Sequence, residues 1–112
     1  MESILTSIKK LLGLTNDYKI FDEDIIMHIN TVFMTLNQLG VGTKEVFNIE
    51  DDLAVWTDFL GEDEKKISGV KTYIYQRVKL IFDPPSNSAH IQALERSINE
   101  FEWRCRFQAE SK

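Results

Sequence analysis

Residues 64–85 read Glu-Lys-Lys-Ile-Ser-Gly-Val-Lys-Thr-Tyr-Ile-Tyr-Gln-Arg-Val-Lys-Leu-Ile-Phe-Asp-Pro-Pro. Within them Ile67, Val70, Ile74, Val78 and Ile81 step by threes and fours, the spacing that lines one face of an α-helix. Acidic Glu62, Asp63 and Glu64 open the segment, where the positive end of a helix dipole favours them. Pro84-Pro85 stops it, and proline pushes the preceding Asp83 out of helical geometry. The spacing therefore predicts a long central helix, the longest of the fold, ending near Phe82, about 30 Å at 1.5 Å per residue. Lys65, Lys66, Lys71, Arg77 and Lys79 do not belong to the apolar stripe, so the helix is basic on its other sides.

Working outward, the same periodicity returns on both sides. Upstream, Ile25, Ile29, Val32, Leu36 and Leu39 step by four and three, with Ile26 and Phe33 widening the stripe. Asp22 reads as the N-cap of that helix, and Gly40 as its stop. Nearer the start, Ile4, Leu5, Ile8, Leu11 and Leu12 form a short amphipathic helix with Lys9 and Lys10 off its apolar face and Gly13 closing it. Two lysines are few for a membrane-surface helix, so this one is expected to pack on the domain. Residues 41–50 lack helical periodicity and read as a loop, expected to be the most mobile internal segment, with an extended piece at 46–49. A short helix capped by Asp51 or Asp52 would hold Leu53, Trp56, Phe59 and Leu60, up to Gly61. Downstream of the prolines, residues 86–88 offer an N-cap. Ile91, Leu94, Ile98, Phe101 and Cys105 then make the stripe of a last helix. Five helices without convincing paired strands, repeats or linkers give an all-α fold, one domain over residues 1–112.

Composition and charge narrow the function classes. A chain of 112 residues with 43% hydrophobic residues is large enough to bury a core without staples. Cys105 is its one cysteine, so neither an internal disulfide nor a thiolate metal cluster is available. Residues 1–12 do not read as a signal peptide, and no stretch approaches the ~20 apolar residues that cross a bilayer. The net charge of −5 argues against broad phosphate binding. Its distribution is uneven: −10 over residues 21–64, followed at once by +5 over 65–82.

The chemical motifs fail their context tests. His28 and His90 stand far apart, and neither starts a metal-binding pattern. Acidic runs 50–52 and 62–64 lack the calcium-loop spacing and read as helix caps. Gly40-Val41-Gly42 follows a helix rather than a strand, which removes the dinucleotide reading. Cys105 lies on an apolar stripe, where a cysteine acts as a small hydrophobe. The expectation is no catalytic residues, no cofactor and no metal. Trp56, Tyr73, Tyr75, Phe82 and Trp103 remain as candidate interface aromatics, while Phe59 and Phe101 read as core.

The chain resembles the small head–tail connector proteins of tailed bacteriophages, the adaptor or head-completion family. The resemblance lies in Met1-Glu2-Ser3-Ile4-Leu5 with Ile8-Lys9-Lys10-Leu11-Leu12, and in Phe21-Asp22 entering an Ile-rich helix. Val70-Lys71-Thr72-Tyr73-Ile74-Tyr75 leading into Leu80-Ile81-Phe82-Asp83-Pro84-Pro85 continues it, and Ile98-Asn99-Glu100-Phe101-Glu102-Trp103-Arg104 completes it. It spans most of residues 1–108 and is a likeness of pattern and order, not of a chemical motif. It implies a non-enzymatic structural subunit that assembles as a homo-oligomeric ring at the virion head–tail junction. Its partners would be the portal protein and a tail-side connector protein, with DNA passing through the channel without sequence-specific binding. The bacterial host cytoplasm would be the place of assembly, and no membrane is involved.

A ring needs two different patches of one chain to meet. The acidic block and the basic helix supply such patches, which makes Lys65, Lys66, Lys71, Tyr75, Arg77, Lys79 and Trp103 the candidate subunit-interface residues. The two patches could instead neutralise each other within one subunit, or surplus acid could line the channel. Two other classes stay open: a small helical regulator of a single protein partner, and a helix-turn-helix DNA binder using residues 65–82. The acidic block beside that helix would repel phosphate, and no short recognition helix is evident.

Overall fold

The computed structural model describes residues 2–110. Met1, Ser111 and Lys112 lie outside the described residues. Its elements are α1 (Ile4–Leu11), α2 (Asp22–Gln38), α3 (Trp56–Leu60), α4 (Glu64–Phe82) and α5 (Ser88–Glu110). Among the described residues the only β pairing is an isolated antiparallel bridge between Ser3 and Val55.

α4 is the axis of the molecule. It packs against α1, α2, α3 and α5, and its closest partners are α2 and α5. Ile67, Val70, Ile74 and Val78 of its stripe are buried, against Ile25, Ile29, Val32, Phe33 and Leu36 of α2 and Ile4, Leu5 and Ile8 of α1. At roughly 1.5–3 kcal/mol for each large apolar side chain taken out of water, this three-helix seam is the main source of stability. The stripe departs from the sequence reading at its end. Ile81 is 53% exposed, and Tyr73, one position off the stripe, is buried. α4 is gripped on two sides, so it needs a second apolar face, and Tyr73 turns that face towards α5, where its ring stacks on Phe101 with centroids 4.5 Å apart.

Helix ends follow from local chemistry, in part by other groups than those expected. α1 and α2 both finish in a six-to-one closure: Leu14 N–H donates to the Lys9 carbonyl and Val41 N–H to the Leu36 carbonyl. Gly40 takes the positive φ of +80° that this closure demands. Asp22 is not an N-cap. Phe21 holds that position with no side-chain bond, and Asp22 is the first residue of α2. Neither Asp51 nor Asp52 caps α3; the Asp58 carboxylate instead accepts from the Val55 N–H at 3.0 Å. The helix therefore starts after Leu53, which stands 76% exposed rather than inward. Asp63 caps α4 by accepting from Lys66 N–H, and Asn87 caps α5 by accepting from Ala89 N–H. α5, at 23 residues, is longer than the 19-residue α4, so the longest helix is the last one and not the one ending at Phe82.

Lys9 is not on an exposed face. It is 1% exposed, and its ammonium donates to the carbonyls of Asn16 and Tyr18 and pairs with Asp22 at 2.8 Å. The loop from 41 to 50 is tacked along α2 by two asparagines one heptad apart. Asn37 donates to the Thr43 and Lys44 carbonyls, and Asn30 both donates to and accepts from the backbone of Ile49.

Candidate subunit interface

The interface candidates divide by what they already touch. Lys65 and Lys66 are exposed in the first turn of α4, and Lys71 is half-buried; none of the three makes an ion pair among the described residues. Arg77 and Lys79 are engaged. Arg77 Nη1 donates to Glu102 Oε2 and to the Tyr73 hydroxyl, both at 3.0 Å. The Tyr73 hydroxyl donates to the same Glu102 oxygen at 2.6 Å. Lys79 pairs with Asp83 at 2.8 Å, one turn on. Burial first, and then the bond to Glu102, hold the Tyr73 phenol well above its ordinary range, with the Arg77 charge pulling the other way. With the bond that Gln76 Nε2 donates to Ser97 Oγ at 3.0 Å, this network is the polar fastening of α5 to α4. It explains why an arginine and a tyrosine that looked available from sequence are committed inside the subunit.

The aromatics separate in the same way. Trp56 is 2% exposed and donates its indole N–H to Ser7 Oγ at 2.8 Å, so it is core and not surface. Phe82 is half-buried, edge-on to Phe21 at 5.2 Å. Tyr75 is half-buried at the rim of the core. Trp103 alone stands out, 61% exposed and stacked on Phe107 at 5.5 Å. Phe59 is buried and Phe101 half-buried, as core positions should be.

The acidic block is a surface. Of its eleven carboxylates all but Asp22 are exposed, and among the described residues none pairs with a base of α4. The ion pairs of Arg77 and Lys79 are instead with Glu102 and Asp83, outside the acidic block. The same stretch of chain also carries exposed apolar side chains: Met27 and Met34, which periodicity did not single out, and Val46 and Leu53. Met27 and Met34 lie a heptad apart on the side of α2 away from the buried stripe. That spacing was readable in the sequence, but nothing in it showed that no second layer covers them.

Other chemistries find little to use. Among the described residues no three His, Cys, Asp or Glu side chains gather where an ion could be held. Burial, and then the charge of Glu102, push the Cys105 thiol up, which disfavours the nucleophilic thiolate. Nor does α4 suit a DNA groove, since it is packed on several sides and two of its five bases are already paired.

The fold thus defines a small all-helical domain with many exposed carboxylates and with apolar side chains left in water. The family model described as phage connector protein matches residues 4–112, and the chain belongs to that family. No curated protein and no solved structure matches it. It is accordingly a connector-type structural protein of a bacteriophage, a virion component that associates with other virion proteins. Among the described residues no helix is long and apolar enough to cross a membrane.

Proposed function

We propose that this connector protein is the adaptor subunit of the head–tail junction: it assembles as a ring on the portal, meets a tail-side connector protein, and lets DNA pass through the ring's centre. Membership of the connector family over residues 4–112 carries the reading. The surfaces support it. The exposed carboxylates of residues 23–58 and the lysines Lys65, Lys66 and Lys71 of α4 are different parts of one chain, as a head-to-tail ring interface requires. Charge of this kind steers encounter and register, while apolar contacts supply most of the affinity. Leu53, Met27, Met34, Trp103 and Phe107 are among the apolar side chains available for them, each more than half exposed. The shape also suits the role, because a slab of 43 × 35 × 21 Å presents broad faces to its neighbours.

The test is to mix the purified chain with the portal protein of the same phage and image the product by electron microscopy. A ring of added density on the portal is the expected result. Absence of any complex, with a one-to-one complex forming instead with another protein, overturns the reading in favour of a regulator.

A further inference from the structure

Two features of this surface complement each other in polarity and sign. The first is a knob. Leu53 is the most exposed large apolar side chain among the described residues, at 76%, and it follows exposed Glu50, Asp51 and Asp52. The loop that carries it is fastened on both sides. Asn30 holds the backbone of Ile49 with bonds of 2.8 and 2.9 Å, and the Ala54 carbonyl accepts from Ile4 N–H at 2.8 Å. Between these anchors Asp51 Oδ1 accepts from the Leu53 N–H at 2.9 Å. A leucine held in water on a fixed loop loses little conformational freedom when it docks.

The second feature is a groove of about 500 Å³ between α4 and the first turns of α5, lined chiefly by Tyr75, Lys79, Pro85, His90, Ala93 and Leu94. Most of that lining is apolar. Its polar side chains are basic or neutral, and no carboxylate lines it. Lys79 presently pairs with Asp83, a carboxylate 60% exposed and able to share the ammonium with a newcomer. The exposure of Leu53 shows that the knob does not occupy its own chain's groove.

We propose that residues 50–53 of one subunit dock in the α4–α5 groove of the next, with Leu53 against Tyr75, Pro85 and Leu94 and the acids towards Lys79 and His90. This rests on the ring reading and gives it a specific interface. Where each groove takes the knob of one neighbour and each knob enters the groove of another, the contact is head-to-tail and propagates to a ring; a reciprocal exchange between two copies would instead close a symmetric dimer.

Cross-linking tests it. In a Cys105→Ser background, one chain carries Leu53→Cys and another Ala93→Cys; both positions are exposed, and circular dichroism checks that each folds. Oxidation of an equal mixture on the portal should give the 53–93 heterodimer in large excess over either homodimer. A single chain carrying both cysteines should give a ladder of multimers. As a second arm, Leu53→Asp and a groove-filling Ala93→Trp should each fail to propagate alone, and together stop at a heterodimer. Rings that form without a 53–93 cross-link overturn the docking and leave the ring reading standing. A chain that stays monomeric and unlinked with portal overturns both.

Discussion

Lys9 is a buried ammonium that ends on three oxygens, two carbonyls of the connection between α1 and α2 and the Asp22 carboxylate at the start of α2. Removing the cation leaves Asp22 and both carbonyls short of a donor. Lys9→Ala should therefore cost about 3 kcal/mol, read as a lowered midpoint in urea, because breaking a buried pair is far more damaging than never having made it. Adding Asp22→Ala should recover part of the loss, a coupling that a double-mutant cycle measures. Tyr73 gives a pH-dependent counterpart. Its folded-state pKa is raised above the ordinary value of about 10, chiefly by burial. The folded protein thus holds the neutral phenol, and the unfolded chain releases the proton first. That contribution is fully present below about pH 10 and is lost as pH rises beyond it. Tyr73→Phe should lower stability at neutral pH by about 1 kcal/mol through the lost hydrogen bonds. Its melting temperature should then fall less steeply above pH 10 than that of the wild type.

Among the elements, the loop over residues 41–50 answers to its anchors. Amides of residues 43–46 should exchange quickly, while the Ile49 amide, bonded to Asn30 Oδ1 and buried, should exchange slowly; Asn30→Ala should release it. Gly42 sits at φ +95°, and a Cβ there would enter the Phe59 ring, whereas one at Gly40 would meet nothing. Gly40→Ala should cost only the roughly 1–2 kcal/mol of left-handed backbone. Gly42→Ala should cost clearly more, seen as a larger fall in melting temperature. The inner stripes of α2 and α4 were legible in sequence because a helix buried along one line repeats every three or four residues. What periodicity does not contain is how many neighbours a helix has and where they stop. Hence Tyr73 went unassigned to the core, although a helix gripped on two sides needs a second face, and Ile81 was assigned to it although no neighbour covers that turn. Lys9 and Leu53 failed for a related reason. Their burial is set by loops folding back, and the local rule that placed Leu53 inward assumed a helix start that Asp58 moves downstream.

For the whole molecule, the question is which of the basic residues of α4 can serve a neighbour. The interface candidates were legible as a charge asymmetry, −10 over residues 21–64 against +5 over 65–82. The fold divides that second patch. Arg77 is held within the subunit by Glu102, Lys79 shares its charge with the exposed Asp83, and Lys65, Lys66 and Lys71, in the first half of α4, make no ion pair among the described residues. Charge reversal should therefore have two distinct outcomes. Arg77→Glu puts a second carboxylate against Glu102 and Tyr73, and should destabilise the subunit by about 2–4 kcal/mol whatever its effect on assembly. The triple change Lys65→Glu, Lys66→Glu and Lys71→Glu breaks no internal ion pair among the described residues; the dipole favours acids at 65 and 66 in the first turn, while Lys71→Glu sets a carboxylate near Glu2 and Glu64, so folding stability should fall by only about 1 kcal/mol. Its effect should appear in assembly instead: slower ring formation on the portal at low salt, measured by light scattering and checked by electron microscopy. Because the Debye length shrinks to about 3 Å at 1 M salt, the difference from wild type should close as salt is raised. A triple variant that folds and assembles at the wild-type rate in low salt would show that these lysines face no neighbour.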